Sequence, residues 1–275
     1  IGGGRVAVWN AFDESFLGEL DDCVRLDISP GGLVATIGAD GLVAVRDLWR
    51  DPQPVARRPA AVAEACSWAP DGATLAVAGD DGAIELFTPS LESLRRIHPG
   101  DAPLRGVTWS GDGSHLVAGG YDGTLVAMDG ARPLWRRSDS RLWPRSIAIG
   151  GTTVACATFA TRPHLIDLPS GGPATPGPAA APSAAFRGGV LAAAGRVVTA
   201  GPPGDRTVLW EHDTRVGAVA ALGDRVVASA AHRAIRLLVL APDRPAAERG
   251  VTLRAPEPIR AVAVLGSPDA PVVVA

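Results

Sequence analysis

The 275-residue sequence predicts an all-β fold made from one unit of about 40 residues used repeatedly. Three observations lead there. Asp-Gly pairs fall at 40–41, 81–82 and 122–123, a spacing of 41 twice over. Glycine (33) and proline (24) together make up about a fifth of the chain, against roughly an eighth in average proteins, so turns are frequent and long helices disfavoured. Between the turns lie short apolar runs that read as strands.

Each unit is built the same way. A first strand of small residues, such as Val107–Ser110, runs into a Pro-Asp-Gly or Gly-Asp-Gly turn. Glycine tolerates positive φ there and aspartate bonds its own backbone. A second strand follows, for example Thr74–Gly79, and Asp-Gly then makes the tight turn of a hairpin. A third strand, for example Ala83–Phe87, leads into a more polar stretch that completes the period. Four short strands in about 40 residues is the spacing of a propeller blade.

First strands begin near Arg25, Ala65, Gly106, Ser146, Gly189, Ala218 and Ala261, a mean spacing of about 39. Third strands are Gly4–Trp9, Leu42–Asp47, Ala83–Phe87, Thr124–Met128, His164–Leu168, Arg206–Glu211 and Ala234–Val239. The expected architecture is a single seven-bladed β-propeller over 1–275. Its closing blade combines 1–20 with 259–275, so the ring has no open edge. Too little chain separates Trp210 from Ala218 for a fourth strand, so the sixth blade is expected to have three, although 189–211 could be re-registered. Ser170–Pro182 is too proline-rich for a central strand and reads as a loop at the rim of the fifth blade. Leu91, Leu94 and Ile97 would share a face of a helix over 89–97, but nine residues do not outweigh the repeat.

These residues resemble the Trp-Asp (WD) repeat β-propellers. Trp9-Asn10, Arg46-Asp47, Phe87-Thr88, Met128-Asp129 and Trp210-Glu211 occupy the position of that family's Trp-Asp pair, and Asp40, Asp81, Asp122 and Asp205 that of its tight-turn aspartate. The likeness spans the chain and is sharpest in blades two to four. The family's Gly-His pair is missing, echoed only by His212. The resemblance therefore implies that its buried Asp–His–Ser/Thr–Trp network is absent and that packing holds the blades.

Composition excludes several functions. Apolar residues reach 47%, yet no run approaches the ~20 residues of a membrane helix. The net charge of −3 offers no field for nucleic acid or an anionic membrane. Every cationic side chain is Arg, and Asn10 and Gln53 are the only amides, which suggests a GC-rich bacterial genome. Cys23, Cys66 and Cys156 are too far apart for a metal knuckle and odd in number, so they read as core residues. The chain begins at Ile1 and reads as an excised part of a longer cytoplasmic protein, with a lost targeting segment left open.

No catalytic or metal-binding constellation stands out, and no cofactor is expected. Asp112-Gly113-Ser114-His115 holds triad residue types in what reads as a repeat turn. His98, His115, His164, His212 and His232 fall in different blades without ligand spacing. Asp21-Asp22 and Asp80-Asp81 are neighbours on extended backbone, where side chains point to opposite faces. Gly2-Gly3-Gly4 lacks the Lys-Ser/Thr of a phosphate loop. A propeller hydrolase or lactonase needs carboxylates converging on the channel, and the inner strands offer Ala, Val, Ile, Trp and Cys.

The resemblance implies a protein-interaction scaffold that binds on the face carrying the loops into the inner strands. At the channel mouth the units carry Val24, Glu64, Arg105, Arg145, Gly189, Gly217 and Arg260. Tyr121, the only tyrosine, precedes the turn residue Asp122, and Trp143 precedes Arg145 by two. Arginine and aromatics are enriched at interface hot spots, and arginine grips carboxylates in a bidentate fork. The expected site is Arg105, Tyr121, Trp143, Arg145, Arg260 and Glu64. Its partner would be a protein or peptide, acidic in character, or another domain of the parent chain. The alternative is a propeller enzyme or a binder of small anionic ligands in the channel. Arg57-Arg58, Arg95-Arg96 and Arg136-Arg137 recur on outer strands, where charge discourages edge-to-edge pairing or could form a docking rim.

Overall fold

The computed structural model describes residues 4–10, 16–47, 50–139, 142–158, 164–173, 183–186, 190–194, 196–201, 207–222, 226–241, 244–255, 259, 262–267 and 270–274. The repeat becomes antiparallel sheets, with no helix among these residues. The chain opens with β1 (Gly4–Asn10) and β2 (Phe16–Cys23), which belong to the first sheet. The second sheet is β3 (Arg25–Ile28), β4 (Leu33–Ile37), β5 (Val43–Asp47) and β6 (Asp51–Arg57). The third is β7 (Ala63–Trp68), β8 (Leu75–Gly79), β9 (Ile84–Phe87) and β10 (Ser93–Ile97). The fourth is β11 (Leu104–Trp109), β12 (His115–Gly120), β13 (Thr124–Asp129) and β14 (Arg132–Ser138). The fifth holds β15 (Pro144–Gly150), β16 (Thr153–Thr158) and β17 (His164–Asp167). The sixth is β18 (Ser183–Phe186), β19 (Val190–Ala194), β20 (Val197–Gly201) and β21 (Thr207–Glu211). The seventh is β22 (Val216–Leu222), β23 (Val226–Ala231), β24 (Ala234–Ala241) and β25 (Arg244–Arg254). Finally β26 (Ala263–Ser267) and β27 (Ala270–Val274) join the first sheet, in the order β2-β1-β27-β26. The arrangement of consecutive four-stranded meanders is that of a β-propeller.

Two expectations are corrected here. The sixth unit has four strands, and Trp210 lies on the fourth, not the third. Its first strand is Ser183–Phe186, hidden in the sequence against the proline-rich run, so the sequence reading enters the unit one strand late. The turn at Arg196 joins second to third strand and could as well have joined first to second. Among the described residues the three-stranded sheet is instead the fifth, where the Ile166–Pro173 bridge continues the ladder beyond β17. Residues 174–182 of the rim loop, with Gly189, Asp205 and Arg260, lie outside the described residues. Over 89–97, where the repeat outweighs a helix, the chain makes a turn followed by strand β10.

The core explains the stacking. Strands β8 and β23 are buried at every position, and β12 and β13 at nearly every one. A strand buried on both sides needs apolar residues on both, and small ones where neighbours press close. Ala76, Ala78, Ala118, Ala127, Ala228 and Ala230 meet that need. Clusters of buried side chains span consecutive sheets, for example Ile37, Val43, Leu75, Val77 and Phe87 between the second and third. Between sheets, the Trp68 backbone N–H donates to Asp27 Oδ2 (2.6 Å) and Trp109 Nε1 to the Ser67 carbonyl (3.1 Å).

The arginine pairs are ties between and within sheets. Arg57 Nη1 donates to the Leu91 carbonyl (3.1 Å) of the next sheet, and its guanidinium lies 5.5 Å from the centre of the Phe87 ring. Arg137, at the equivalent register position, donates to the Gly171 carbonyl (2.5 Å). Arg58 and Arg96 pair with the turn carboxylates Asp40 and Asp81 of their own sheets. Leu91 and Gly171, whose carbonyls accept the cross-sheet bonds, both have left-handed backbone (φ 61° and 68°).

The expectation of no buried polar network is also corrected. Trp210 Nε1 donates to Ser229 Oγ (3.0 Å), and Ser229 Oγ lies 2.6 Å from His212 Nε2. All three side chains are buried, joining the sixth sheet to the seventh. With Nε2 unprotonated, the Ser229 hydroxyl can donate to it and complete a chain from indole N–H to hydroxyl to imidazole. Burial holds the His212 pKa below its ordinary value, Arg236 adds to that, and Asp213 opposes it.

This packing makes stability depend on pH in a definite direction. Above about pH 6.5 His212 is neutral folded or unfolded, and its contribution to stability is complete. As pH falls through that value the unfolded chain takes up the proton first, so stability drops until the folded pKa is passed. Urea unfolding between pH 8 and 5 should show this slope in the native chain and lose it in His212→Asn. Separately, a Cβ on Gly171 would sit 2.7 Å from Trp135 at positive φ. Gly171→Ala should cost at least about 2 kcal/mol, read as a lower urea midpoint at unchanged slope.

Candidate functional site

The site grows from irregularities at the start of the inner strands. Ala63 and Ala65, Leu104 and Gly106, Pro144 and Ser146, and Val216 and Ala218 each flank a register shift against the second strand. The extra residues are Glu64, Arg105, Arg145 and Gly217. Bulges of this kind can re-aim a side chain out of the pleat. Four of the positions expected at the mouth thus share one backbone device.

The second-to-third-strand turn supplies the next residue. Asp122 Oδ1 accepts the Thr124 N–H (2.9 Å) and Gly123 takes φ 78°, which fixes the turn and leaves Tyr121 at its outer corner. Tyr121 N–H donates to the Pro103 carbonyl (3.0 Å), tying the turn to the loop entering β11. Asp40-Gly41 and Asp81-Gly82 repeat the design, with Leu42 and Ala83 N–H bonded to the carboxylates. Hydrogen bonds from Leu42 and Arg58 lower the Asp40 pKa.

Around Tyr121 three side chains meet, from the third and fourth sheets and the entry to the fifth. Arg105 Nη1 donates to Tyr121 Oη (2.6 Å), and the guanidinium carbon lies 5.0 Å from the ring centre. Tyr121 Oη donates in turn to Glu64 Oε2 (3.3 Å) on the third sheet. Trp143, at the entry to the fifth, stands 6.2 Å from the Tyr121 ring, tilted by 58°. Gly119 makes this approach possible, because a Cβ there would lie 2.8 Å from Pro144 and 3.0 Å from Ile147 of the next sheet. The rings remain open to solvent, Tyr121 at 39% and Trp143 at 44%.

The structure therefore brings together Glu64, Arg105, Tyr121 and Trp143. The Arg145 backbone occupies the equivalent bulge one sheet along. Sequence reasoning missed Val62, 48% exposed near Glu64, and the position of Asp80, the counterpart of Tyr121 in its turn. The 41-residue offset between Asp80 and Tyr121 was the signal for the latter.

The other candidates are structural. Asp112 Oδ1 accepts bonds from Ser110 Oγ (2.6 Å) and Ser114 Oγ (2.7 Å), which hold its carboxyl well below the ordinary carboxylate range. Ser114 Oγ also lies 2.5 Å from His115 Nδ1. Serine stands between aspartate and histidine, so the carboxylate does not orient the imidazole as a triad requires. Cys156 is buried and its thiol pushed up to about 12, while burial and then Asp27 raise Cys66, so neither is a thiolate near neutrality. Among the described residues no three His, Cys, Asp or Glu side chains group as metal ligands.

An aromatic and charged cluster on the turn face of a propeller marks a candidate surface, and the fold by itself names no function. Residues 92–126 match the family model "WD domain, G-beta repeat", covering β10 to β13, so the chain carries a WD repeat there. The matched stretch begins on the outer strand of one sheet and ends on the third strand of the next. Among solved structures, one titled "Crystal Structure of Mitotic Checkpoint Complex" aligns with TM-score 0.72 and 16% identity, covering 95% of this chain and 85% of that one. At that identity the likeness concerns the fold. No curated protein matches the chain.

Because Tyr121 is the sole tyrosine, nitration with tetranitromethane should add one nitro group, at residue 121. Mass spectrometry showing an unmodified chain under conditions that nitrate a free tyrosyl peptide would place the ring out of solvent and remove it from the surface.

Proposed function

We propose that this chain is a non-catalytic scaffold that holds a partner protein or peptide on the turn face, with Tyr121 and Trp143 as anchors. The observation that carries the reading is the exposed pair itself. Two large rings are kept at a solvent-facing junction of three sheets, with Arg105 and Glu64 bonded to the tyrosine. Rigid aromatics lose little conformational freedom on binding, which is why they recur as anchors. Arg105, with Arg145 and Arg260, would meet acidic groups of the partner, and no cofactor is needed.

The same reading takes residues 1–275 as one closed seven-bladed ring, with the closing blade built from 1–20 and 259–275. What supports it is the seven sheets, the pairing of Val8, Trp9 and Asn10 with Val274, Val273 and Val272, and the contact of β26 with β3. The ring would be a cytoplasmic module of a larger bacterial protein, its partner including a domain of that same chain. The protein complex named for the structural match is consistent with a role in protein contacts.

The test is quantitative pull-down from extracts of the source cells. A partner retained by the native chain should fall at least about tenfold with Trp143→Ala, the scale of a hot-spot truncation, and with Arg105→Glu plus Arg145→Glu. The same partner bound undiminished by all variants, each melting as the native chain does, would refute this site.

A further inference from the structure

Beside the aromatic pair, on the same face, lies an open cleft of about 380 Å³. It runs between the Asp40-Gly41 turn of the second sheet and the Asp80-Asp81 turn of the third, with Pro59, Ala60, Ala61 and Val62 along its apolar wall. The arginines beside it are already committed. Arg58 is paired with Asp40 (2.8 Å) and Arg96 with Asp81. Asp80 Oδ1 accepts the Val62 N–H (3.1 Å), and Glu64, two residues along from Val62, accepts the neutral Tyr121 hydroxyl. Among the described residues no arginine forms an ion pair with Asp80 or Glu64. The cleft thus combines an exposed apolar wall with an uncompensated carboxylate at its mouth.

We propose that this cleft takes a basic side chain of the partner segment docked on Tyr121 and Trp143, an inference that rests on that docking. The long aliphatic stem of Arg or Lys would lie along Val62 and Pro59, and its cationic head would meet Asp80. Amphipathic side chains bury their stems on apolar surface in this way. An exposed ion pair adds little affinity, but it fixes register and direction. With Asp80 on the third sheet and Arg105 on the fourth, bonded to Tyr121, the mouth is polarised. A bound segment places its basic residue over the second and third sheets and its acidic residue toward the fourth and fifth.

The experiment is selection of a phage-displayed random dodecapeptide library on the immobilised native chain. Synthetic copies of the selected peptides are then measured by fluorescence polarisation. Asp80→Asn removes the charge and keeps the acceptor for Val62 N–H, so folding is not put at risk. The expected consensus carries Arg or Lys at a fixed distance from an apolar anchor. The best peptide should bind Asp80→Asn about fivefold more weakly. Replacing its basic residue by Gln should abolish that difference between the two proteins. A consensus without a basic residue, or equal affinity for Asp80→Asn, overturns the cleft assignment and leaves the docking reading standing. No consensus at all, or one that binds Tyr121→Ala/Trp143→Ala undiminished, overturns the docking reading and this inference with it.

Discussion

Burial of the middle strands from both sides is the constraint on which everything else depends. A sheet such as β7–β10 has apolar residues on both faces and cannot be stable alone in water. Each face must meet another sheet, and each of those sheets carries the same requirement. Alanines at 76, 78, 118, 127, 228 and 230 set how closely the layers approach. At roughly 25 cal/mol per Å² of apolar surface, such layers supply the main favourable term for folding. Stacking also accounts for the chain ends, because β1 and β27 contribute to one sheet and neither is left as a bare layer.

The same stacking builds the candidate site without any dedicated element. Inner strands of neighbouring sheets converge, so residues entering them are brought together across sheet boundaries. A bulge at the entry turns Glu64 and Arg105 outward, and the fixed Asp-Gly turn presents another side chain beside them. Which side chains stand there is free to vary, because none of them packs the core. The repeat thus holds the scaffold constant while Ala39, Asp80 and Tyr121 differ at one and the same turn position.

Legibility in the sequence follows the same division. The second to fourth units are readable because Asp-Gly turns forced by local backbone chemistry punctuate them at a constant 41 residues. The sixth is misread by one strand because nothing in Gly-Arg at 195–196 distinguishes one hairpin turn from another, and the first strand abuts proline-rich chain. Glu64, Arg105 and Trp143 can be placed on one face by register alone. Their mutual contacts cannot, since these depend on Gly119 lacking a Cβ where Pro144 approaches. The Trp210–Ser229–His212 chain escapes notice for a related reason. Its members come from two sheets, and only the pairing of sheets brings them within hydrogen-bond reach.

The absence of lysine from this sequence acquires structural meaning in the ties between sheets. Arg57 both donates to the Leu91 carbonyl and lies against the Phe87 ring, two contacts that need a planar cation with donors at its edge. Arg137 reaches the Gly171 carbonyl in the same manner, and Arg236 that of Glu211. A lysine ammonium can also sit over a ring, but it lacks the planar fork that lies along the ring while donating from its edge. A sequence that places arginine at every Lys/Arg position therefore also supplies cross-sheet donors. Among the described residues one buried Trp–Ser–His chain joins a single pair of sheets, and the arginine donors help to join others. Arg105 follows the same pattern at the surface, stacked on Tyr121 and bonded to its hydroxyl. The candidate site thus uses the side-chain arrangement that already ties the sheets to one another.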